Sequence, residues 1–291
     1  MLTDAEIHAA RSLILLGLVE DLGEAGDITS NTFVPKSATA TAYYVARKAG
    51  VIAGLPIAQM VCQAIFEHLN LELLVRDGTA VTPGQRVARL KGPAIPILAA
   101  ERTSLNFLQR LSGVASLTRK YVDKVAGTQA KILDTRKTTP GWRLLEKYAV
   151  RMGGGTNHRM GLYDAVLIKD NHLAALHTSP AEAAVLAVRR ARAEIQHSKS
   201  LTIEVDDLNV FRTVLPEKPD IILLDNMTPA DMQIAVQERN MAGSKTLLEA
   251  SGGVNLDSVR TIAETGVDRI SVGAITHSAT SLDIALDFVE E

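Results

Sequence analysis

The side chains best suited to chemistry in this chain are five cations that lie close together in the sequence. They fall in DTRKTTPGWRLLEKYAVRMGGGTNHRMGLYDAVLIKDNH, a segment that begins at Asp134 and also carries glycines and short apolar runs. The five residues are Arg136, Lys137, His158, Arg159 and Lys169. The chain of 291 residues has a formal net charge of -2, so a local excess of cations needs a local reason. The planar guanidinium group of arginine binds a carboxylate through two hydrogen bonds, and lysine acts as a point charge. We therefore expect a small, densely anionic ligand.

Ordinary ion pairing is the alternative interpretation of these cations. Salt bridges with Asp134, Glu146, Asp164 and Asp170 would explain each charge separately, and for a single lysine or arginine this is the default. The set differs because its members follow short apolar runs that are typical of buried strands. We therefore expect the cations to serve one binding site.

Two acids that end neighbouring apolar runs, Glu204 and Asp225, suggest a metal site. Two hard oxygen ligands suit Mg²⁺, which usually takes one or two carboxylates together with substrate phosphate oxygens and water. The alternative is helix capping, since acids are favoured at helix N-termini. Asp206 and Asp207 are better capping candidates than Glu204.

Two glycine turns follow the last two apolar runs. They read SGG at 251–253 and SVGA at 271–274. Backbone N–H groups in such turns bind phosphate, and the loops after the last strands of a parallel barrel are a frequent phosphate site. The alternative is a tight turn that needs a positive φ.

The elements that must position these residues are six short apolar runs separated by helical stretches. The runs read KILDT, AVLIKD, LTIEVDD, DIILLDN, KTLLEASGG and RISVGA. Runs that are apolar throughout indicate strands buried on both faces, hence parallel strands. Such a pattern predicts a (β/α) barrel, complete or incomplete, or an open doubly wound sheet. In either case the active site lies at the carboxyl ends of the strands, where the polar residues above follow each run.

The first part of the chain has a different pattern. Residues 7–20 have helical spacing with Thr3 or Asp4 as the cap, residues 40–90 turn toward strands, and one long helix or two abutting helices follow residue 96. The tail, SLDIALDFVEE, alternates apolar and polar residues, which predicts a strand that returns to the first domain. A tail helix is the competing interpretation.

Composition excludes several classes of function. The single cysteine, Cys62, rules out a disulfide within the chain and argues against a thiolate zinc site. The slightly acidic charge argues against nucleic-acid binding, which needs a broad basic face. The sequence shows no secretory signal and no run of the ~20 apolar residues that a membrane span requires. We expect a cytoplasmic protein.

The ordered motifs of this chain resemble those of the quinolinate phosphoribosyltransferase family. DTRKTTPG, GGGTNHRMGLYD, LIKDNH, IEVD, LLDN, ASGG and SVGA occur in that order, and EDLG, DGTAVTPGQ and AERTSLN extend the resemblance over nearly the whole chain. The resemblance implies an incomplete (β/α) barrel preceded by an N-terminal α/β sandwich domain. With the tail strand included, we expect the sandwich domain at 1–112 plus 276–291 and the barrel domain at 113–275.

The resemblance also implies roles for individual residues. Arg136, His158, Arg159 and Lys169 would hold quinolinate, and Lys137, Glu204 and Asp225 would serve 5-phosphoribosyl-1-pyrophosphate and its Mg²⁺. The 5-phosphate would lie against Ser251, Gly252, Gly253, Ser271 and Gly273, and Thr135 also belongs to the substrate site. Lys137, Lys169, Glu204 and Asp225 would act in catalysis. Subunits would form homodimers, or larger assemblies, in which Arg102 enters the partner's site.

The activity that the resemblance implies is a pentosyl transfer in NAD biosynthesis. Quinolinate would receive the phosphoribosyl group and lose CO₂, giving nicotinate mononucleotide and pyrophosphate. Three alternative functions compete with this one: that of a related group associated with molybdate transport, a non-catalytic phosphometabolite-binding protein, and a barrel isomerase acting on a sugar phosphate. The paired acids beside the cations argue against the second, and the several carboxylate-binding cations argue against the third.

Overall fold

The computed structural model describes residues 1–194 and 199–289, and contacts divide the chain into two compact units. The first unit comprises Met1–Arg119, Lys137–Gly154 and Ile275–Glu291, and the second comprises Lys120–Arg136 and Gly155–Ala274. The expected domain boundaries place residues 137–154 in the barrel, whereas contacts group them with the first unit. Residues 290 and 291, which end the expected sandwich domain, lie outside the described part.

The first unit is built on antiparallel strands. Their bounds are β1 (Thr39–Ala46), β2 (Gly50–Val51), β3 (Leu71–Leu73), β4 (Ala80–Val81), β5 (Arg86–Pro93) and β12 (Ile284–Val289). Four of them form a sheet in the order β12-β1-β5-β3, and β2 pairs with β4. The tail strand β12 lies antiparallel to β1, with Tyr44 opposite Leu286. The prediction that the tail returns to the first domain as a strand is therefore confirmed, and the helical alternative is wrong.

Helices cover the strands of the first unit. They are α1 (Asp4–Leu22), α2 (Ile28–Phe33), α3 (Leu55–Ile65), α4 (Ala94–Lys124), which continues five residues into the second unit, and α5 (Arg143–Met152). Thr3 caps α1 in a capping box with Glu6, which confirms the predicted cap. The stretch after residue 96 forms one long helix. Its Leu105 and Leu108 are buried in the core with Tyr44 and Leu90.

The second unit contains the six predicted strands. They are β6 (Lys131–Leu133), β7 (Val166–Ile168), β8 (Leu201–Val205), β9 (Ile221–Asp225), β10 (Leu247–Ser251) and β11 (Arg269–Ser271). Every ladder is parallel and the order is β6-β11-β10-β9-β8-β7. In the described residues no ladder joins β6 to β7, so the barrel is incomplete, and a single bridge pairs Leu133 with Thr156 at that edge. The fold class expected from the sequence is confirmed.

Short helices alternate with these strands. They are α6 (Asp170–Ala174), α7 (Pro180–Glu194), α8 (Leu208–Val214), α9 (Pro229–Met241), α10 (Val259–Glu264) and α11 (Ala274–His277), with a 3-10 turn at Leu215–Glu217. The strands are buried because helices cover the sheet, as the apolar runs predicted. Because the strands are parallel, their six carboxyl ends lie at the same end of the sheet. Among the described residues, none of the helices combines the length and apolar character needed to cross a bilayer.

Candidate active site

The guanidinium groups of Arg136 and Arg159, which follow β6 and the segment bridged to it, are near enough to repel each other. Arg136 follows that strand, and Arg159 follows the segment that bridges to its last residue. Burial lowers the pKa of Arg159, repulsion from Arg136 lowers it further, and attraction to Asp164 partly offsets both. Like charges held at one place favour binding of an anion, because an anion between them removes the repulsion. The arrangement suits a carboxylate ligand.

His158 precedes Arg159 and is held from three directions. Its backbone N–H donates to Asp134 Oδ1 at 2.9 Å, and its Nε2 lies 3.2 Å from Glu249 Oε1. Its Nδ1 accepts the backbone N–H of Arg159 at 2.7 Å. Asp134, which is fully buried, also accepts from Asn157 at 2.6 Å. The loop that carries the predicted substrate cations is therefore fixed by buried carboxylates.

Lys169 and Glu204 form an ion pair across neighbouring strands. Lys169 follows β7, Glu204 is the fourth residue of β8, and their Nζ and Oε2 atoms are 2.9 Å apart. Glu204 and Asp225 line the same cavity of about 250 Å³, together with Asp170 and Asp206. The structure thus brings together the two acids that the sequence paired. Lysine and carboxylate groups meet at the rim of the barrel.

Helix capping does not explain the two acids. Asp207 caps α8 by accepting from the backbone N–H groups of Asn209 and Val210. Thr228 caps α9 by accepting from Asp231 N. Since both helices have other caps, the carboxylates of Glu204 and Asp225 are left for a different role.

These acids also match what Mg²⁺ requires of a protein. Within the described residues no three His, Cys, Asp or Glu side chains gather as a metal cage. Magnesium does not need such a cage, because it binds one or two carboxylates plus substrate phosphate oxygens and water. Glu204 and Asp225 therefore fit the ion, with Lys169 as a competing cation for Glu204.

The glycine turn after β10 has the positive φ angles of the alternative interpretation, a tight turn. Gly252 has a φ of +89° and Gly253 a φ of +61°. A Cβ at Gly252 would lie 2.1 Å from Asn226 Oδ1 and 2.8 Å from Asn226 N. The backbone carbonyl of the neighbouring Ser251 accepts a hydrogen bond from the backbone N–H of Asn226 at 2.9 Å. Glycine is thus required at 252 for both conformation and space, and phosphate binding by this loop stays a prediction.

The turn after β11 is arranged differently. Ser271 is buried and its hydroxyl donates to Glu249. Gly273 is half-buried and directly precedes α11. A phosphate here would therefore meet backbone N–H groups rather than the serine hydroxyl.

Three further residues predicted for the site are Thr135, Arg102 and Lys137. Thr135 is half-buried directly after Asp134, in the second unit. Arg102 is exposed on α4, and Lys137 is exposed with its carbonyl accepting the Thr276 hydroxyl at 2.7 Å. Arg102 and Lys137 both belong to the first unit, and their roles stay predictions.

Comparison with known proteins decides the family. Residues 27–112 match the quinolinate phosphoribosyl transferase N-terminal domain, and residues 114–287 match the C-terminal domain of the same family. The chain belongs to the quinolinate phosphoribosyl transferase family. The resemblance drawn from the sequence motifs is thereby confirmed, and with it the class of enzyme.

Three bacterial relatives match this family member over at least 90% of their own length. The nicotinate-nucleotide pyrophosphorylase [carboxylating] of Mycobacterium leprae (strain TN) is 45% identical over 99% of this chain and 100% of its own length. A probable enzyme of the same name from Bacillus subtilis (strain 168) is 41% identical over 92% of this chain and 90% of its own. The nicotinate-nucleotide pyrophosphorylase crystal structure from Ehrlichia chaffeensis is 40% identical, with a TM-score of 0.88 over 96% of this chain and 98% of that one.

Sequence reasoning missed Glu249, which is fully buried in β10 and contacts His158, Arg269 and Ser271. One signal could have found it. A charged residue within the apolar run TLLEAS has to be buried with partners, since an unpaired buried carboxylate is costly.

Proposed function

We propose that this family member transfers the phosphoribosyl group of 5-phosphoribosyl-1-pyrophosphate to quinolinate. The products are nicotinate mononucleotide, pyrophosphate and CO₂, a step in NAD biosynthesis. The observation that carries the proposal is the rim of the barrel, where two guanidinium groups that repel each other and a cavity lined in part by four carboxylates follow the strands. Two polyanionic substrates would otherwise repel each other, and such a rim offsets that repulsion.

Quinolinate would bind to the cationic side of this rim. Arg136 and Arg159 are suited to the two carboxylates, because each offers a planar fork and because repulsion from Arg136 helps to lower the pKa of Arg159. Lys169 adds a point charge that Glu204 already orients. His158 would complete the quinolinate site on the loop that Asp134 fixes.

The donor sugar would bind on the acidic side. Glu204 and Asp225 would hold Mg²⁺, which when bound neutralises the departing pyrophosphate and orients the sugar. The turns at Ser251, Gly252 and Gly253 and at Ser271 and Gly273 would bind the 5-phosphate through backbone N–H groups. Lys137 is assigned to the donor by the family resemblance.

The chemistry then follows from positioning and charge. The C1–oxygen bond to pyrophosphate breaks as the pyridine nitrogen bonds to C1, so that nitrogen becomes cationic. The bond from ring C2 to its carboxyl group breaks next, leaving its electron pair on C2 beside the positive nitrogen, and a proton from water replaces the lost CO₂. An ammonium group of Lys137 or Lys169 would stabilise that electron pair. No protein nucleophile is needed, because most of the rate comes from orientation and electrostatics.

The active assembly would be a homodimer in the cytoplasm, or a larger assembly of such dimers. Arg102 is exposed on α4, which leaves its guanidinium accessible to a partner subunit. In that arrangement Arg102 would enter the partner's site and bind a quinolinate carboxylate.

Incubation of the purified protein with quinolinate, 5-phosphoribosyl-1-pyrophosphate and Mg²⁺ tests the function. We expect equal amounts of CO₂ and nicotinate mononucleotide. Nicotinate serves as the control acceptor, since it lacks the second carboxylate and should react far more slowly. Absence of product from quinolinate, or a clear preference for nicotinate, would overturn the proposal.

A further inference from the structure

Glu249 is a buried carboxylate with three side-chain partners. His158 Nε2 lies 3.2 Å from Oε1, and the Ser271 hydroxyl donates to the same oxygen. Arg269 Nε lies 2.8 Å from Oε2, an ion pair whose alignment falls outside hydrogen-bond geometry. Burying a carboxylate is costly unless charge and hydrogen bonds compensate it. Each of these partners belongs to the second unit.

The other ring nitrogen of His158, Nδ1, also has a hydrogen-bond partner. The Arg159 backbone N–H donates to Nδ1 at 2.7 Å, so Nδ1 is an acceptor and carries no hydrogen. The hydrogen is then on Nε2, where Glu249 Oε1 accepts it. An imidazolium would place a hydrogen on Nδ1 directly against the N–H of Arg159.

We infer that Glu249 is a positioning residue, which holds His158 as a neutral imidazole with its hydrogen on Nε2. Burial alone would raise the pKa of Glu249, but the hydrogen bond from His158, the attraction of its ring when that ring is protonated in acid, the charge of Arg269 and the hydrogen bond from Ser271 keep that pKa below its usual value. Glu249 thus stays an acceptor.

The consequence for the substrate site rests on the proposed function. Glu249 fixes the ring of His158, and the ring in turn fixes the main chain of Arg159 through Nδ1. Asp134 holds the other side of the same loop. Glu249 therefore sets where the Arg159 guanidinium can meet a quinolinate carboxylate. The positive charge of that subsite comes from arginine and lysine, not from His158.

The tautomer can be measured without any assay of activity. Long-range ¹⁵N–¹H NMR spectra distinguish a neutral ring with its hydrogen on Nε2 from the other tautomer and from imidazolium, and the His158→Asn variant assigns the signal. We expect the Nε2–H form in the wild-type protein at neutral pH. An imidazolium or an Nδ1–H ring there would overturn the inference, whether or not any variant folds.

Two substitutions then separate positioning from general stability. Glu249→Met removes the acceptor and should give a mixed tautomer signal and a quinolinate KM raised by about tenfold, with the KM for the donor sugar little changed. Glu249→Gln keeps an acceptor oxygen, so it should retain the tautomer and restore much of the quinolinate KM. A folded Glu249→Met protein with the wild-type signal and KM would contradict the inference.

Asp268→Asn is the matched control. Asp268 forms an ion pair with Arg239 at 2.8 Å and accepts a hydrogen bond from the backbone N–H of Leu248. The substitution therefore also breaks an ion pair of the second unit, but this pair involves no histidine. It should lower stability and leave the His158 signal and the quinolinate KM unchanged.

The two proposals can fail independently. If the wild-type protein makes no product, the proposed function is wrong, whereas the tautomer of His158 is still decided by the NMR spectrum alone.

Discussion

Repulsion between Arg136 and Arg159 has a testable consequence at the scale of single residues. The pKa of Arg159 is lowered by burial and then by Arg136, so an anion bound beside both guanidinium groups would offset a repulsion that is present in the free protein. Arg136→Met should raise the quinolinate KM on the order of 100-fold, because a charge-assisted fork contributes about 3 kcal/mol. Steady-state kinetics measure this effect.

Ligand stabilisation makes the Arg136 prediction sharper. Quinolinate at a hundred times its Kd should stabilise the wild-type protein by about 2.7 kcal/mol, whereas at that concentration it should barely shift the melting of Arg136→Met. Arg136→Lys is the control, since it keeps the repulsion but loses the planar fork, and we expect an intermediate KM. An unchanged KM in Arg136→Met would remove this arginine from the site.

The paired acids lead to a prediction about metal dependence. Glu204→Gln combined with Asp225→Asn should raise the Mg²⁺ concentration needed for half-maximal activity by at least about tenfold, because neutral amides bind the ion poorly. Activity is titrated with Mg²⁺ at saturating substrates. Asp207→Asn is the control: Asp207 lies three residues after Glu204 as the cap of α8, and asparagine caps a helix as well as aspartate does. Unaltered metal dependence in the double variant would reject the metal role.

At the scale of elements, the turn after β10 offers a pair of glycines with different surroundings. Gly252→Ala would force the loop away from Asn226, since its Cβ would lie 2.1 Å from the Asn226 Oδ1 atom. We expect the KM for 5-phosphoribosyl-1-pyrophosphate to rise by about tenfold or more, with the quinolinate KM less affected. Gly253→Ala is the control, because its Cβ meets no atom within 4 Å and costs only the left-handed conformation, about 1–2 kcal/mol. Equal effects on the two KM values would argue against a phosphate loop.

The short helix α2 predicts a pH dependence of stability. Asp27 caps it, and hydrogen bonds from the Ser30 hydroxyl and the Ser30 backbone N–H lower the pKa of Asp27. A lowered folded pKa means that the stabilisation is complete above the ordinary aspartate pKa of about 3.9 and is lost as the pH falls through the folded value. Asp27→Ala should cost about 1 kcal/mol at neutral pH and progressively less in acid. Urea unfolding against pH measures this, and a cost independent of pH would contradict it.

Local pattern predicted the elements of this protein better than it predicted their partners. The six strands of the barrel could be found because each is a short apolar run that ends in a polar residue. The grouping of residues 137–154 with the first unit could not, because α5 is held there by Glu146 with Arg110 and by Tyr148 with Asp77. Such pairs are distant in sequence and leave no periodic signal. The charge of Glu249 within an apolar run indicates a buried carboxylate, but its partners His158 and Arg269 are not indicated by the sequence pattern.

At the scale of the whole molecule, the proposed dimer predicts complementation between inactive subunits. Arg102→Ala should fail because quinolinate loses a cation from the partner, and Glu204→Gln should fail at a low Mg²⁺ concentration because its metal site is weakened. In a mixed dimer one site would combine an intact Arg102 from one subunit with an intact Glu204 from the other. Since half of the dimers in an equal mixture are mixed and each has one working site, we expect roughly a quarter of wild-type activity.

The control for complementation uses two residues of the same unit. Glu204→Gln and Asp225→Asn both alter the cavity of one subunit, so mixing these variants leaves every site with one damaged acid. No activity should return in that mixture, whatever the assembly. Recovery with Arg102→Ala but not in the control requires a site shared between subunits. Failure of both mixtures, with mixed dimers verified by native mass spectrometry, would mean that Arg102 acts within its own chain.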